Sequence, residues 1–214
     1  MTKVFFAVTM SLDGFMAPEE RADDPEGEMW LAQWMRLQDW VGRQKFFMEN
    51  LQLGDGGETG EDNEFLRDTF DRTGVSIMGK RMFDKGEHSW PEEAPFHTPV
   101  LVVTHEERQP WERPGGTTFN FVNDGIESAM RQARGVVGDK DIRIAGGADT
   151  IIQFLNAGLV SEFSIALSPV FLGAGTRLFD GVARDRIAID GFEASSSPLV
   201  THLSYTIKPE VSDD

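Results

Sequence analysis

Residues 141–155 read DIRIAGGADTIIQFL. Ile142 and Ile144 alternate as in a short strand, the chain turns through Gly146 and Gly147, and Ile151, Ile152 and Leu155 then recur at helical spacing. A strand that passes through glycines into a helix makes a phosphate cradle. Glycine lets backbone approach a ligand with no Cβ in the way, and the free N–H groups of the first helical turn attract an anion. The stretch lacks the third glycine of a dinucleotide fingerprint, so a tight strand-to-helix turn capped by Asp149 or Thr150 is the plain alternative.

A second unit of the same kind lies upstream. Val75–Met78 reads as a buried strand, and Gly79-Lys80-Arg81-Met82-Phe83 leads out of it into a short helix. Cations at a helix N-terminus oppose its dipole, and an anionic ligand there removes the conflict. Before this strand, Asp62–Arg72 reads as a helix with Phe65, Leu66, Thr69 and Phe70 on one side and Asp62 or Asn63 as N-cap. The chain opens with a nearly continuous apolar strand, residues 3–10, expected to be central. The loop Ser11-Leu12-Asp13-Gly14-Phe15 follows, at the strand end where open α/β sheets bind ligands.

Further strands are expected at Val100–Val103, ending at Thr104-His105, and at Thr117–Val122, with Asp124 capping a helix to about Ala133. After Glu162–Leu167 and a turn-rich segment, 168–175, the stretches 187–195 and 199–207 alternate like an antiparallel hairpin about 196–198. Strand–helix units followed by a hairpin predict an α/β fold: a mostly parallel central sheet with helices on both faces and an antiparallel C-terminal edge. The tail from Pro209 is expected to be loose.

Two stretches stand outside this pattern. Residues 17–28 are acidic and irregular, and 29–51 are rich in Trp and Met. Trp30, Trp34, Leu37 and Val41 fit one face of a helix, which Trp40 and Phe47 widen. Such a stripe serves as core or oligomer interface, with a lid over a flat ligand as the alternative. Residues 54–60, GDGGETG, form a flexible connection, and 87–99 form a proline-rich loop carrying Trp90, His88 and His97. The two histidines match no ligand spacing, and no metal is expected.

The 214 residues fit one domain, and no internal repeat or membrane-length apolar run occurs. The formal net charge is −16 and the pI about 4.6, a surface that repels nucleic acid and anionic lipid. Any phosphate-bearing ligand must therefore be held by local cations, and Lys80, Arg81, His105 and Arg108 are the clustered candidates. The absence of Cys excludes disulfides and thiolate metal sites and agrees with a cytoplasmic setting. The N-terminal run has no cleavage-site pattern and reads as a strand, not a leader.

Together, AVTMSLDGFMA, IMGKRMFD, LVVTH, IAGGADTIIQFLNAGLVSEF and SPVFLGAGTRLFDG resemble, in order, segments of the dihydrofolate reductase-like superfamily. Within it the chain is similar to the C-terminal reductase domain of the bifunctional riboflavin biosynthesis protein. The resemblance implies a three-layer α/β/α reductase domain over 1–214, with about 17–60 as an insertion, a homodimer, and NADPH lying across the C-terminal strand ends. It implies that Ala7 meets the nicotinamide carboxamide and that Asp13 and Gly14 close over the adjoining ribose. Gly79, Lys80, Arg81 and Met82 would meet the phosphates, Thr104 and His105 the adenine ribose, and Gly146, Gly147, Ala148, Asp149 and Thr150 the pyrophosphate. The cations favour NADPH over NADH.

Departures are visible. Lys80 and Met82 stand where dihydrofolate reductases have Arg and then Thr, and Asp149 stands where they often have a basic residue. Their substrate-binding carboxylate sits early in the helix before the second strand, where Glu64 and Asp62 are the candidates here. Asp13 and Glu64 are the candidate proton donors or substrate anchors, with turn or cap roles as the alternative. Trp90, Phe171 and Leu172 are candidate pocket walls, core packing being the alternative. The expected activity is hydride transfer from NADPH to a small pterin- or pyrimidine-like heterocycle. The alternatives are riboflavin-pathway reduction of 5-amino-6-(5-phosphoribosylamino)uracil, and a nucleotide-binding module without turnover.

Overall fold

A computed structural model describes residues 2–208. The tail expected to be loose, 209–214, lies outside the described residues. β1 (Val4–Ser11) and β2 (Phe15–Pro18) come first, then α1 (Glu28–Leu37), α2 (Asp39–Gly42), α3 (Lys45–Asn50) and α4 (Glu61–Asp71). Next are β3 (Thr73–Gly79), α5 (Lys80–Glu87), β4 (Pro99–Val103), β5 (Trp111–Glu112), β6 (Thr118–Val122) and α6 (Ile126–Val136). β7 (Asp141–Gly146), α7 (Ala148–Asn156), β8 (Glu162–Ser168), β9 (Gly175–Arg177), β10 (Ile189–Ser196) and β11 (Thr201–Ile207) complete the order.

Among the described residues, nine strands form one sheet in the order β10-β11-β8-β1-β7-β3-β4-β6-β5. The pairs among β8, β1, β7, β3, β4 and β6 are parallel, and β10–β11 forms an antiparallel hairpin joined antiparallel to β8. β2 and β9 pair separately, antiparallel, a small sheet that no periodicity in their few residues announced.

The parallel strands are apolar because both faces are covered. On one face α6 and α7 pack Ala129, Met130, Ile151 and Phe154 onto Val75, Ile77, Ile142 and Ile144. On the other, α5 presents Phe83 to Met78, Val100, Val102 and Phe119, while α2 and α4 bring Trp40 and Leu66 against Ala166.

The aromatic stripe is not one helix. It breaks at Gln38, whose side-chain oxygen accepts from the Thr9 hydroxyl at 2.9 Å, and again at the extended, buried Gln44, whose amide donates to the Trp40 carbonyl at 2.7 Å. Leu37 and Trp40 enter the core, whereas Trp30 and Trp34 are half-buried and stack on each other with centroids 5.4 Å apart. Three expected caps also move by one to three residues. Gly60, Gly125 and Gly147 occupy the N-cap positions, so Asp62 and Asn63 lie inside α4, Asp124 precedes the cap of α6, and Asp149 and Thr150 lie inside α7.

Candidate active site

The two glycine turns lie side by side because β3 and β7 are neighbours, with Met78 opposite Gly146. A Cβ on Gly79 would stand 2.3 Å from Thr150 Oγ1, so only glycine lets the β3–α5 turn touch the first turn of α7. Gly146 has φ +131°, and a Cβ there would meet Met82 Sδ at 3.2 Å and Met16 Cε at 3.9 Å. Gly79, Met82, Gly146, Thr150 and, from β2, Met16 thus converge. The first N–H groups of α7, at Ala148, Asp149 and Thr150, lack intrahelical acceptors by helix geometry and serve the same spot. Gly147 has open space where a Cβ would be.

Beside these turns the central ladder opens. β1 is in register with β7 only at Val4–Ile142 and Phe5–Arg143, yet it stays paired with β8 from Phe5 to Ser11. The Lys3 carbonyl accepts from Ile142 N and the Val4 carbonyl from Ser161 N, so odd-numbered residues of β1 turn their backbone groups toward β7. Ala7 therefore turns its backbone toward β7 beyond the last paired residues of that ladder, on the side of Gly146.

At the far end of the turns lie the clustered cations, and carboxylates already engage them. Lys80 Nζ is 2.8 Å from both oxygens of Asp84 and 3.3 Å from Glu106, and these hydrogen bonds raise its pKa. Glu20, from the segment after β2, holds Arg81 at 3.2 Å and Lys85 at 2.9 Å, and its pKa is lowered by the same contacts, Lys85 first. Arg108 pairs with Glu87 and lies over Phe121 and Phe83, at 4.7 and 5.1 Å from their centroids. Thr104 is buried and accepts from Glu106 N at 3.0 Å, while His105 is exposed.

Asp13 is an acceptor on every side. Ser11 Oγ donates to it at 2.6 Å, Leu172 N at 3.2 Å and Gly173 N at 2.7 Å. Partial burial alone would raise its pKa, but these three donors outweigh it and hold the carboxyl below its ordinary value. This geometry suits a tether that fixes the Asp13–Gly14 turn to the 170–173 segment, not a proton donor. Gly14, at φ +87°, and Arg177, which donates to the Asp13 carbonyl at 3.0 Å, complete the fastening.

The two carboxylates of α4 separate. Asp62 and Glu64 are about 200° apart around the helix. Glu64 therefore points to solvent, 3.9 Å from Arg67, and Asp62 is buried. Asp62 Oδ2 accepts from Ser197 Oγ at 2.7 Å, and Oδ1 stands 2.7 Å from His202 Nε2. Phe65 stacks on the His202 ring at 4.2 Å and Trp40 meets it edge-on at 5.3 Å, while Trp40 Nε1 donates to Thr9 Oγ1 at 3.1 Å. Thr9, Ala166 and His202 form one cross-strand row at the C-terminal ends of β1 and β8. His202, Thr9 and Trp40 escaped the reading from sequence. The available signals were a hydroxyl within an apolar strand and a histidine on the inward face of an alternating one.

The candidate pocket walls are not brought together. Trp90 stacks on Phe119 at 5.2 Å and packs over Gly86, where a Cβ would meet its ring at 2.1 Å, so it belongs to the aromatic core behind α5. Leu172 lies beside Asp13, and Phe171 is 69% exposed.

Among the described residues, no helix is long and apolar enough to cross a membrane and no group of three or more His, Asp or Glu is placed to hold a metal ion. A protein of Bacillus subtilis (strain 168), described as uncharacterized protein YyaP, is 44% identical over 59 residues, 28% of this chain and 31% of that relative's length. In overall structure the chain is similar to a putative riboflavin biosynthesis protein from Shewanella sp. PV-4, with TM-score 0.66, 18% identity, and 97% of this chain and 99% of the other covered. It is also similar to dihydrofolate reductase from Enterococcus faecalis, with TM-score 0.54, 10% identity and 96% of both chains covered, and the fold is dihydrofolate reductase-like. The family model described as RibD C-terminal domain matches residues 2–200, and the chain belongs to that family.

Proposed function

We propose that this chain is a reductase that passes a hydride from a reduced nicotinamide dinucleotide, NADPH in the first instance, to a small pyrimidine- or pterin-like heterocycle. The observation that carries this reading is the opened β1–β7 ladder ending between two abutting glycine turns. In this reading a flat ring lies beside the Ala7 backbone and a pyrophosphate at the N-terminus of α7, and a Cβ on Gly79 or Gly146 would press on Thr150 or Met82 and disturb the turns that shape the cradle. Family membership supports the same reading.

When bound, the dinucleotide supplies the hydride, which adds to the carbon of a C=N or C=O bond while a proton adds to the heteroatom. The protein's own part is geometric. Gly146, Gly147 and the first turn of α7 hold the phosphates. Ala7 orients the nicotinamide, and Asp13 keeps the turn after β1 fastened beside it. Met16 and Met82 line the cradle with thioethers and limit water.

The test is titration of the purified protein with NADPH, followed by nicotinamide fluorescence and repeated with Gly147→Asp. That substitution places its Cβ in open space and brings a carboxylate to the N-terminus of α7, where this reading puts the phosphates. Micromolar binding that the variant loses by about tenfold or more is expected. Absence of binding to the parent chain would overturn the reading. Turnover is then sought across a heterocycle panel that includes 5-amino-6-(5-phosphoribosylamino)uracil.

A further inference from the structure

We infer that Glu106 makes this chain nearly indifferent between NADPH and NADH; the inference rests on the reductase reading and concerns the ribose end of the same site. β3 turns through Gly79 into α5 and the chain returns as β4, the parallel neighbour of β3. In parallel α/β dinucleotide sites, an acid just past the strand that follows the glycine turn bonds the ribose 2′-hydroxyl, whereas a cation there accommodates a 2′-phosphate. Both are present here and they face each other.

Glu106 lies just past the end of β4, and its backbone N–H is pinned by the hydroxyl of buried Thr104 at 3.0 Å. Its carboxylate reaches Lys80 Nζ at 3.3 Å, while Asp84, one turn along α5, takes the same ammonium at 2.8 Å. Of the other cations nearby, Arg81 is engaged with Glu20 and Arg108 with Glu87, while His105 is exposed. A 2′-phosphate would therefore meet one ammonium already shared by two carboxylates, and its attraction to Lys80 is offset by repulsion from Glu106 and Asp84. A ribose diol suffers no such repulsion and finds in Glu106 a ready acceptor. The extra phosphate of NADPH brings little.

The experiment is fluorescence titration of the full chain with NADPH and NADH at low ionic strength, for the parent, Glu106→Gln and Lys80→Gln. Circular dichroism checks that these surface variants stay folded. The parent is expected to bind the two cofactors within about tenfold of each other. Glu106→Gln is expected to tighten NADPH by about fivefold, the factor for one like-charge contact near 4 Å in water, without tightening NADH. Lys80→Gln should weaken NADPH alone. A parent preference for NADPH of about a hundredfold or more, or a Glu106→Gln variant whose NADPH-to-NADH ratio is unchanged, would overturn the inference and leave the reductase reading standing. Binding of neither cofactor to the parent would overturn both.

Discussion

The Asp62 carboxylate and the His202 imidazole, 140 positions apart in the chain, meet at 2.7 Å between Oδ1 and Nε2, with both side chains almost wholly withdrawn from water. The pair joins the N-terminus of α4 to the C-terminal hairpin, and the Ser197 hydroxyl on Asp62 Oδ2 makes a second link to the same hairpin. The other ring nitrogen, His202 Nδ1, is buried and has no hydrogen-bond partner among the described residues, so Asp62 is the contact that satisfies this imidazole.

Asp62→Ala is therefore expected to cost about 2–4 kcal/mol, because it strands the buried histidine and leaves the Ser197 hydroxyl only the longer, 3.4 Å contact to the Val200 carbonyl as an acceptor. Asp62→Asn keeps an acceptor for Nε2–H and should lose less than half of that. Urea unfolding of the three proteins checks the order, and equal losses for Ala and Asn would show that the hydrogen bonds contribute little.

The abutting glycine turns allow a sharper test of geometry. Gly79→Ala places a Cβ 2.3 Å from Thr150 Oγ1, a clash that must push α5 and α7 apart and is expected to cost about 1–3 kcal/mol. Removing that hydroxyl leaves the new methyl 3.6 Å from the Thr150 Cβ, an ordinary contact. The double variant Gly79→Ala with Thr150→Ala should therefore be more stable than Gly79→Ala alone. Thermal unfolding measures the coupling, and strict additivity of the two substitutions would exclude the contact.

These two sites mark how far the sequence could be read. The strand–glycine–helix units were legible because periodicity and glycine punctuation are local, and Ile142, Ile144, Ile151 and Leu155 are all buried as their spacing requires. The helix starts shifted because backbone at Gly60, Gly125 and Gly147 caps them without side-chain hydrogen bonds. The break in the aromatic stripe was hidden because Gln38 is held by Thr9, a partner from β1 rather than from its own segment. The same holds for Asp62: helical spacing could say that it and Glu64 face apart, but only the register of β11 brings His202 to it. Cation counting near Lys80 pointed to an anion site, yet Glu106 and Glu20 arrive from other elements and change its local charge.

A four-residue ionic cluster at the N-terminal strand ends predicts a specific acid response. Arg72 bridges Asp141 at 2.7 Å and Glu162 at 2.6 Å, and Lys3 Nζ reaches Glu162 at 2.6 Å. Burial alone would raise the pKa of Glu162, but the hydrogen bonds from Lys3 and Arg72 outweigh it and hold the group below its ordinary value. A depressed carboxyl pKa contributes stability that is present above the unfolded-state value and is lost as pH falls through the folded one. Glu162→Gln is thus expected to cost roughly 1–2 kcal/mol at pH 7, discounted because Lys3 is largely exposed, and to flatten the loss of stability below about pH 4.5. Denaturant midpoints from pH 7 to pH 3 check this, and parallel curves for the two proteins would contradict it.

Arg143 runs the other way. It sits between Ile142 and Ile144 in β7, its Nε is buried and has no hydrogen-bond partner among the described residues, and its guanidinium lies 4.7 Å over the ring of Phe70 in α4. Burial pushes its pKa down to about 10. A base depressed on folding binds protons less well in the native state, so it costs stability at neutral pH, and that cost fades as pH rises through 10. Replacing it by a flexible side chain of similar length removes the desolvation while keeping contact with Phe70. Arg143→Met is accordingly expected to be neutral or to stabilise by about 1–2 kcal/mol, a rise in Tm of up to about 8 °C for a chain of this size. Thermal unfolding at pH 7 decides the matter. A fall of several degrees would mean that the ring contact with Phe70 outweighs the burial of the charge, and that Arg143 anchors α4 to the sheet.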